Sequence, residues 1–293
     1  MSHIESAIQL FLENIENTEV SDTIIEEFGE NCKKAIRECL LTKRNEEPFK
    51  LRMSNIGKPL RQLMLEKLFG RVPMDSQQRL RMTYGYIYES FVLFLLKAAG
   101  LKIETNKKVA LDIAYDTDNK YTLLGSLDLK IDGKIYDIKS ASSWSFDNKF
   151  TSFDNMEKDD PFGYCGQAMA YSLGDKSLFG GWIVVDKADG RIKVVEVPEK
   201  NYRDIARKYL DDFKEKIKKA LFGEVTLASM PPCDGVIEET FGKYKTGNLI
   251  LNKSCEFCPH KYKCHPELKF KEDVNSKAAK KTWKYYVKLD RPK

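Results

Sequence analysis

Gly125-Ser126-Leu127-Asp128-Leu129-Lys130-Ile131-Asp132-Gly133-Lys134-Ile135-Tyr136-Asp137-Ile138-Lys139 reads as two strands folded back on each other. Its centre, Asp132-Gly133, signals a two-residue type I′ turn, because that turn needs positive φ at both central residues. With those residues as the loop, Ile131 faces Lys134, Leu129 faces Tyr136, Asp128 faces Asp137 and Leu127 faces Ile138. Alternation then sorts the side chains. Leu127, Leu129, Ile131, Tyr136 and Ile138 form an apolar face, with Lys134 beside the turn. Asp128, Asp137 and Lys139 gather on the other. Carboxylates opposed on antiparallel strands have Cβ atoms about 5 Å apart, where like charges destabilise. Such a pair either lies in water or takes a cation between its members. Oxygen-ligated Mg²⁺ is the expected cation. The alternative is a solvated surface hairpin, since D-x-K by itself is a common surface pattern.

Three regions surround this hairpin. Residues 1–70 read as a helical N-terminal region, with Ile4, Ile8, Phe11 and Ile15 on one face of an opening amphipathic helix. Residues 71–222 read as a mixed α/β core, and residues 223–293 hold a cysteine cluster and a basic end. Within the core, Asp75-Ser76 caps a helix that stops at Gly100. Strands are expected over 109–115, 121–131 and 134–140. A loop with Trp144 and Phe146 then leads to a helix over 162–173. Strands over 178–186 and 192–197 precede an amphipathic helix over 202–221. Helix, three strands, helix, two strands and helix is the order of an α/β fold, with a mixed sheet flanked by helices.

Composition fits a folded chain with a core: 42% hydrophobic and 32% charged residues, with a net charge of +5. The charge is uneven, with twelve Lys or Arg against five acids from Lys253 onward. A basic end suits a phosphate backbone, and equally a solubilising tail. The longest apolar run, Phe91 to Leu96, is far shorter than the roughly 20 residues of a spanning helix. No membrane association is expected. Seven cysteines without an export signal favour thiol or metal roles in a reducing cytoplasm.

Glu89 lies inside an apolar helical stretch, and Gln167 and Tyr171 are spaced i, i+4 on one face of the next helix. An acid in a helix, G-x-x-D at Gly125 to Asp128, D-x-K at Asp137 to Lys139, and Q-x-x-x-Y at Gln167 to Tyr171 follow in order. This series resembles the PD-(D/E)xK nuclease superfamily, in particular its RecB-like and lambda-exonuclease-like branch, over about residues 54–264. The resemblance implies a restriction-endonuclease-like core. It implies that Asp128 and Asp137 hold Mg²⁺ or Mn²⁺ with the Ile138 carbonyl, and that Glu89 completes the site. Lys139 would orient or help deprotonate the attacking water, and Gln167 and Tyr171 would position the DNA phosphate. Many RecB-like members carry His where Glu89 stands, and many relatives have Glu where Asp137 stands. Glu89 therefore points to the exonuclease-like variant.

Ser54 to Leu63 is similar to the segment that precedes the core in RecB-like nucleases, where an Arg at the position of Arg61 faces the DNA path. Iron–sulfur members place a cysteine just before that Arg; this chain has Pro59-Leu60. Cys255, Cys258 and Cys264 follow C-x₂-C-x₅-C, the trio that closes the cluster in those members. A Cys₄ site needs a fourth thiolate. Cys233 is the nearest candidate; Cys32, Cys39, His260 and His265 are alternatives. Zn²⁺ and a [4Fe–4S] cluster both remain open, as do three ordinary thiols. Either metal would pin the C-terminal segment rather than perform catalysis.

Trp144 is a candidate for stacking on unpaired bases, with packing against the core as its alternative. The leading expectation is a metal-dependent DNA exonuclease acting in recombination, repair or replication, in a bacterial or phage-infected cytoplasm. Its partners would be DNA and a recombination or replication protein. The competing readings are a non-catalytic nucleic-acid-binding protein with a zinc-ribbon-like site, and a nuclease-fold subunit of a larger complex. Oligomeric state, cleavage polarity and strand preference are left open.

Overall fold

The computed structural model describes residues 1–42, 49–70, 72–114, 120–200, 202–222, 226–231, 234–279 and 281–290. In chain order the elements begin with α1 (His3–Glu13), α2 (Asp22–Ile36), α3 (Leu60–Phe69) and α4 (Ser76–Ala98). Then come β1 (Ile103–Thr105), β2 (Lys108–Ala114), β3 (Lys120–Ser126), β4 (Leu129–Ile131) and β5 (Lys134–Ala141). Next are α5 (Ser143–Asn148), α6 (Phe153–Lys158), α7 (Tyr164–Asp175), β6 (Phe179–Asp186), β7 (Ile192–Glu196) and α8 (Tyr202–Ile217). The chain closes with β8 (Val236–Phe241), β9 (Tyr244–Leu251), α9 (Lys253–Glu256), α10 (Lys261–Cys264), β10 (Lys269–Glu272) and β11 (Trp283–Lys288). Among the described residues no helix is long and apolar enough to cross a membrane.

The described residues fall into two compact units. Those of Met1–Asn45, Lys50–Gly57 and Pro73–Glu215 form the first; those of Glu46–Phe49, Lys58–Val72 and Lys216–Lys293 form the second. This division differs from the expected boundaries. The N-terminal region is not a body of its own: α1 belongs with the α/β core and α3 with the C-terminal residues. Core packing explains the first half of that result. Ile4, Ile8 and Phe11 of α1 share one buried cluster with Val92, Leu93, Leu95 and Leu96 of α4 and with Leu129, Ile131, Tyr136 and Ile138 of the hairpin. Each fully buried Ile or Leu there contributes about 1.5–3 kcal/mol. The α1 cap is a reciprocal pair, with Glu5 N–H donating to Ser2 Oγ and Ser2 N–H to the Glu5 carboxylate. The helix ends at Glu13, so Ile15 leaves the apolar face and is 51% exposed.

The first unit is mixed α/β. Its main sheet has the order β1-β4-β5-β6-β7, with β5 and β6 parallel and the remaining neighbours antiparallel. β2 and β3 form a separate two-stranded sheet. The stretch expected as one strand over 121–131 is therefore two, broken at Leu127–Asp128. Trp144 and Phe146 lie not in a loop but on α5, whose N-terminus is capped by Ser142. The second unit carries an antiparallel sheet, β10-β11-β9-β8, in a region where no strands are expected from the sequence.

Candidate active site

The hairpin turn is as the sequence predicts. Asp132 and Gly133 have φ of 49° and 75°, and the ladder pairs Ile131 with Lys134 and Leu129 with Tyr136. It stops there. Leu127 N–H turns to the Lys107 carbonyl at 2.9 Å, and the Asp128 carboxylate accepts the Ile138 N–H at 2.9 Å. Asp128 is thus not paired with Asp137 through the backbone, nor Leu127 with Ile138. A side chain has replaced a strand carbonyl, as Asp does when it competes with secondary structure. The replacement keeps Asp128 beside β5 and aims its carboxylate at the strand that carries Asp137 and Lys139.

Asp137 is 5% exposed, near the centre of the main sheet, where it stands opposite Trp182 of β6. Lys139, two residues on, shares its face. Its Nζ forms an ion pair with Asp137 Oδ2, an oxygen that accepts no directed hydrogen bond. Glu89 comes from α4. Burial first, and then the Asp137 charge, push its carboxyl up to about 7, with Lys139 opposing. Asp128 is held well above its ordinary value by burial, then by Asp137 and Glu89. Lys139 and the Ile138 N–H oppose that shift. Burial works against the Lys139 ammonium, but Asp137 and Asp128 outweigh it and hold the amine above its usual range. Glu89, Asp128, Asp137 and Lys139 therefore form one electrostatic cluster of three carboxyls and one ammonium.

α7 supplies the next face. Gln167 Nε2 donates to Tyr171 Oη at 2.9 Å. Burial is the largest cause pushing the Tyr171 phenol up to about 12; Asp137 and Asp128 add to it, while the Gln167 hydrogen bond opposes. Gly125 makes room for this ring: a Cβ there would stand 2.6 Å from Tyr171 Cε1 and 2.9 Å from Met53 Sδ. Gly57 and Gly163 let two backbones touch where α7 begins, since a Cβ on Gly57 would lie 2.0 Å from Gly163 Cα. Asp160 caps this start, accepting from the Tyr164 and Cys165 amides at 2.9 and 2.8 Å.

Two residues join the site that sequence reading missed. The Tyr164 ring lies 4.8 Å from Lys139 Nζ, and 5.2 Å from the Nζ of Lys149, which is 7% exposed. Tyr164, Gln167 and Tyr171 are spaced three and four apart, so the face was available to the sequence. Lys149 had no such signal, because its place depends on the α5–α6 turn.

Trp144 is 59% exposed on α5. Arg61 does not stand free to face a ligand. In the second unit its Nε donates to Cys264 Sγ at 3.4 Å and its Nη1 to the Pro231 carbonyl at 2.7 Å. Cys258 and Cys264 are free thiols, and burial pushes the Cys258 thiol up to about 11. Cys233 lies outside the described residues. Among the described residues no three or more His, Cys, Asp or Glu side chains are arranged to hold a metal ion. The hairpin site still suits a hard divalent cation in donor chemistry and charge. Its three carboxyls oppose one another's ionisation, with the Lys139 ammonium paired to Asp137 as the countercharge.

No family model and no curated protein matches the chain. A solved structure described as "Crystal structure of SSO0001" is similar with a TM-score of 0.44 at 14% identity, covering 82% of this chain and 97% of that one.

Proposed function

We propose that this protein is a divalent-metal-dependent DNase of the PD-(D/E)xK kind, and specifically an exonuclease of recombination, repair or replication. The observation that carries the reading is the cluster of Glu89, Asp128, Asp137 and Lys139, built from a helix, the β3–β4 break and strand β5. Asp128, Asp137 and the Ile138 carbonyl would hold Mg²⁺ or Mn²⁺, with Glu89 completing the set. Bound there, the ion would lower the pKa of a water and offset charge on the attacked phosphate.

The chain's own groups have separable tasks. The three carboxyls set the charge of the site and compete for protons. Lys139, held above its usual pKa by Asp137 and Asp128, stays an ammonium at neutral pH. It therefore donates hydrogen bonds to phosphate or water and stabilises developing negative charge. Tyr164 lies against that ammonium with its ring 4.8 Å away. Gln167 and Tyr171 present a coupled amide and phenol for positioning the phosphate. In the second unit, a Zn²⁺ or [4Fe–4S] site at Cys255, Cys258 and Cys264 would need Cys233 or a histidine as its fourth ligand.

End-labelled linear DNA and closed circular DNA, each incubated with Mg²⁺, test the reading. Linear DNA should be shortened from its ends and the circle left intact, with the shortening absent in Lys139→Ala. Cutting of the circle would make the protein an endonuclease. Undiminished cutting by Lys139→Ala would remove the site.

A further inference from the structure

Lys149 ends α5, where its N–H donates to the Ser145 carbonyl at 2.9 Å. Phe146 and Phe150, both buried, anchor that end of the helix in the core. From this fixed backbone the Lys149 side chain enters a cage of three rings. Its Nζ lies 5.7 Å from the centroid of Phe150, 5.6 Å from that of Phe162 and 5.2 Å from that of Tyr164. Phe162 and Tyr164 are held in turn, because Asp160 caps the start of α7 and Gly57 packs on Gly163, the residue between them. Phe150 is buried and Phe162 is 38% exposed, so the cage is closed on the core side and reaches the surface at Phe162.

The third wall of the cage belongs to the candidate active site. The same Tyr164 ring lies 4.8 Å from Lys139 Nζ. Two ammoniums therefore share one phenol ring, the first from β5 and the second from the end of α5. Ring faces attract a cation and restrict its stem, yet they leave its positive charge in place. The charge count of the site leaves that cation over. Glu89, Asp128 and Asp137 carry three negative charges when ionised, and Lys139 carries one positive. A divalent ion held by those carboxyls would bring the sum to zero. Lys149 then adds one positive charge, the complement of a single phosphodiester.

We propose that Lys149 is a second phosphate-binding residue of this site, its ammonium donating to a backbone phosphate of the bound strand while the aromatic cage fixes its position. The proposal rests on the nuclease reading for its ligand, but its test does not require cleavage.

The test uses Lys139→Ala protein with Mg²⁺, in which Lys149 can no longer act by holding the Lys139 ammonium. Affinity for a fluorescent oligonucleotide, duplex or single-stranded, is measured over a salt series with and without Lys149→Met added. The Met side chain keeps an apolar stem in the cage and removes the charge. Affinity should fall, and the slope of log K against log salt should become shallower by about 0.9 on duplex or about 0.7 on a single strand, the loss of one phosphate contact. Lys149→Arg should keep the slope of the Lys139→Ala protein. An unchanged slope in Lys149→Met overturns the proposal, and so does a Lys139→Ala protein that binds neither strand form. Should Lys149→Met not fold, nitrogen NMR of the lysine ammonium groups in the Lys139→Ala protein decides. DNA should shift the Lys149 signal and leave in place that of Lys130, which is paired with Asp175; an unmoved Lys149 signal overturns the proposal. Failure of the nuclease reading shows differently: the parent would not cut, or Lys139→Ala would cut as the parent does, and the slope, then read in chelator, would still report on Lys149.

Discussion

The Asp128 carboxylate accepts the Ile138 N–H at 2.9 Å, where an uninterrupted hairpin would have placed a main-chain carbonyl. The ladder is given up at the point where a charge is brought to Asp137. The fold thereby places an acid where burial and two neighbouring carboxyls oppose its ionisation.

Asp128→Asn is expected to stabilise the metal-free protein. The amide oxygen can still accept from Ile138, while the buried charge disappears. A gain of about 1 kcal/mol corresponds to roughly 2–4 °C in the unfolding midpoint for a chain of this order of size. Thermal unfolding in chelator at pH 8 measures it. A fall in midpoint would mean that the charge is well accommodated without an ion.

Glu89 sets a pH dependence of definite sign. Its carboxyl ionises near 4.5 in the unfolded chain and at about 7 in the folded one, through burial first and Asp137 second. Between those values the folded state keeps a proton that the unfolded state has released, so stability falls as pH rises through the window. Above 7 both states are ionised and the penalty, on the order of 3 kcal/mol, is fully present. Unfolding midpoints in chelator should therefore fall less from pH 5 to 8 in Glu89→Gln than in the parent. Added Mg²⁺ should raise the parent's midpoint more at pH 8 than at pH 6, because protons and metal compete for the same carboxyls. Equal slopes for parent and variant would show that Glu89 is not held in this environment.

Gly125→Ala tests the approach of α7 to the site. Its Cβ would lie 2.6 Å from the Tyr171 ring, so the ring, and with it the hydrogen bond to Gln167, must shift. Overpacking of this kind costs about 1–3 kcal/mol. Chemical denaturation should show that loss, and cleavage should fall further than the loss of folded protein explains. Unchanged stability would mean that the ring moves freely.

Asp175 ties the end of α7 to the hairpin. Burial alone would raise its carboxyl, but Lys107, Lys130 and Ser177 outweigh it and pull it down to about 2. The ion pairs measure 2.5 Å to Lys107 and 2.7 Å to Lys130, which is itself largely buried. With a lowered folded value, the stabilisation is present above the unfolded pKa near 3.8 and is lost as pH falls towards 2. Asp175→Asn should cost about 3 kcal/mol at pH 7, leaving Lys130 without its carboxylate. That cost should shrink below pH 4 in denaturant titrations; a pH-independent cost would point to packing instead.

The hairpin was legible because Asp132-Gly133 admits one turn and alternation then places every side chain up to Leu129 and Tyr136. The break at Leu127–Asp128 was not, since it depends on which acceptor wins the Ile138 amide. The C-terminal sheet was hidden for a similar reason. β8 carries Glu238-Glu239 at its centre, and Glu239 is buried only because Asn248, Asn275, Lys284 and Tyr286 converge on it from distant positions. Arg61 looks like a free cation in sequence; its placement on Cys264 is set by contacts across some two hundred residues.

Cleavage by Asp128→Asn bears most directly on the account. With end-labelled linear DNA and Mg²⁺, the parent should release labelled nucleotides. The folded variant, at least as stable as the parent, should release none above a no-protein control. Cleavage by the purified variant at the parent's rate would contradict the account, because a site that works without the Asp128 charge is not the one described.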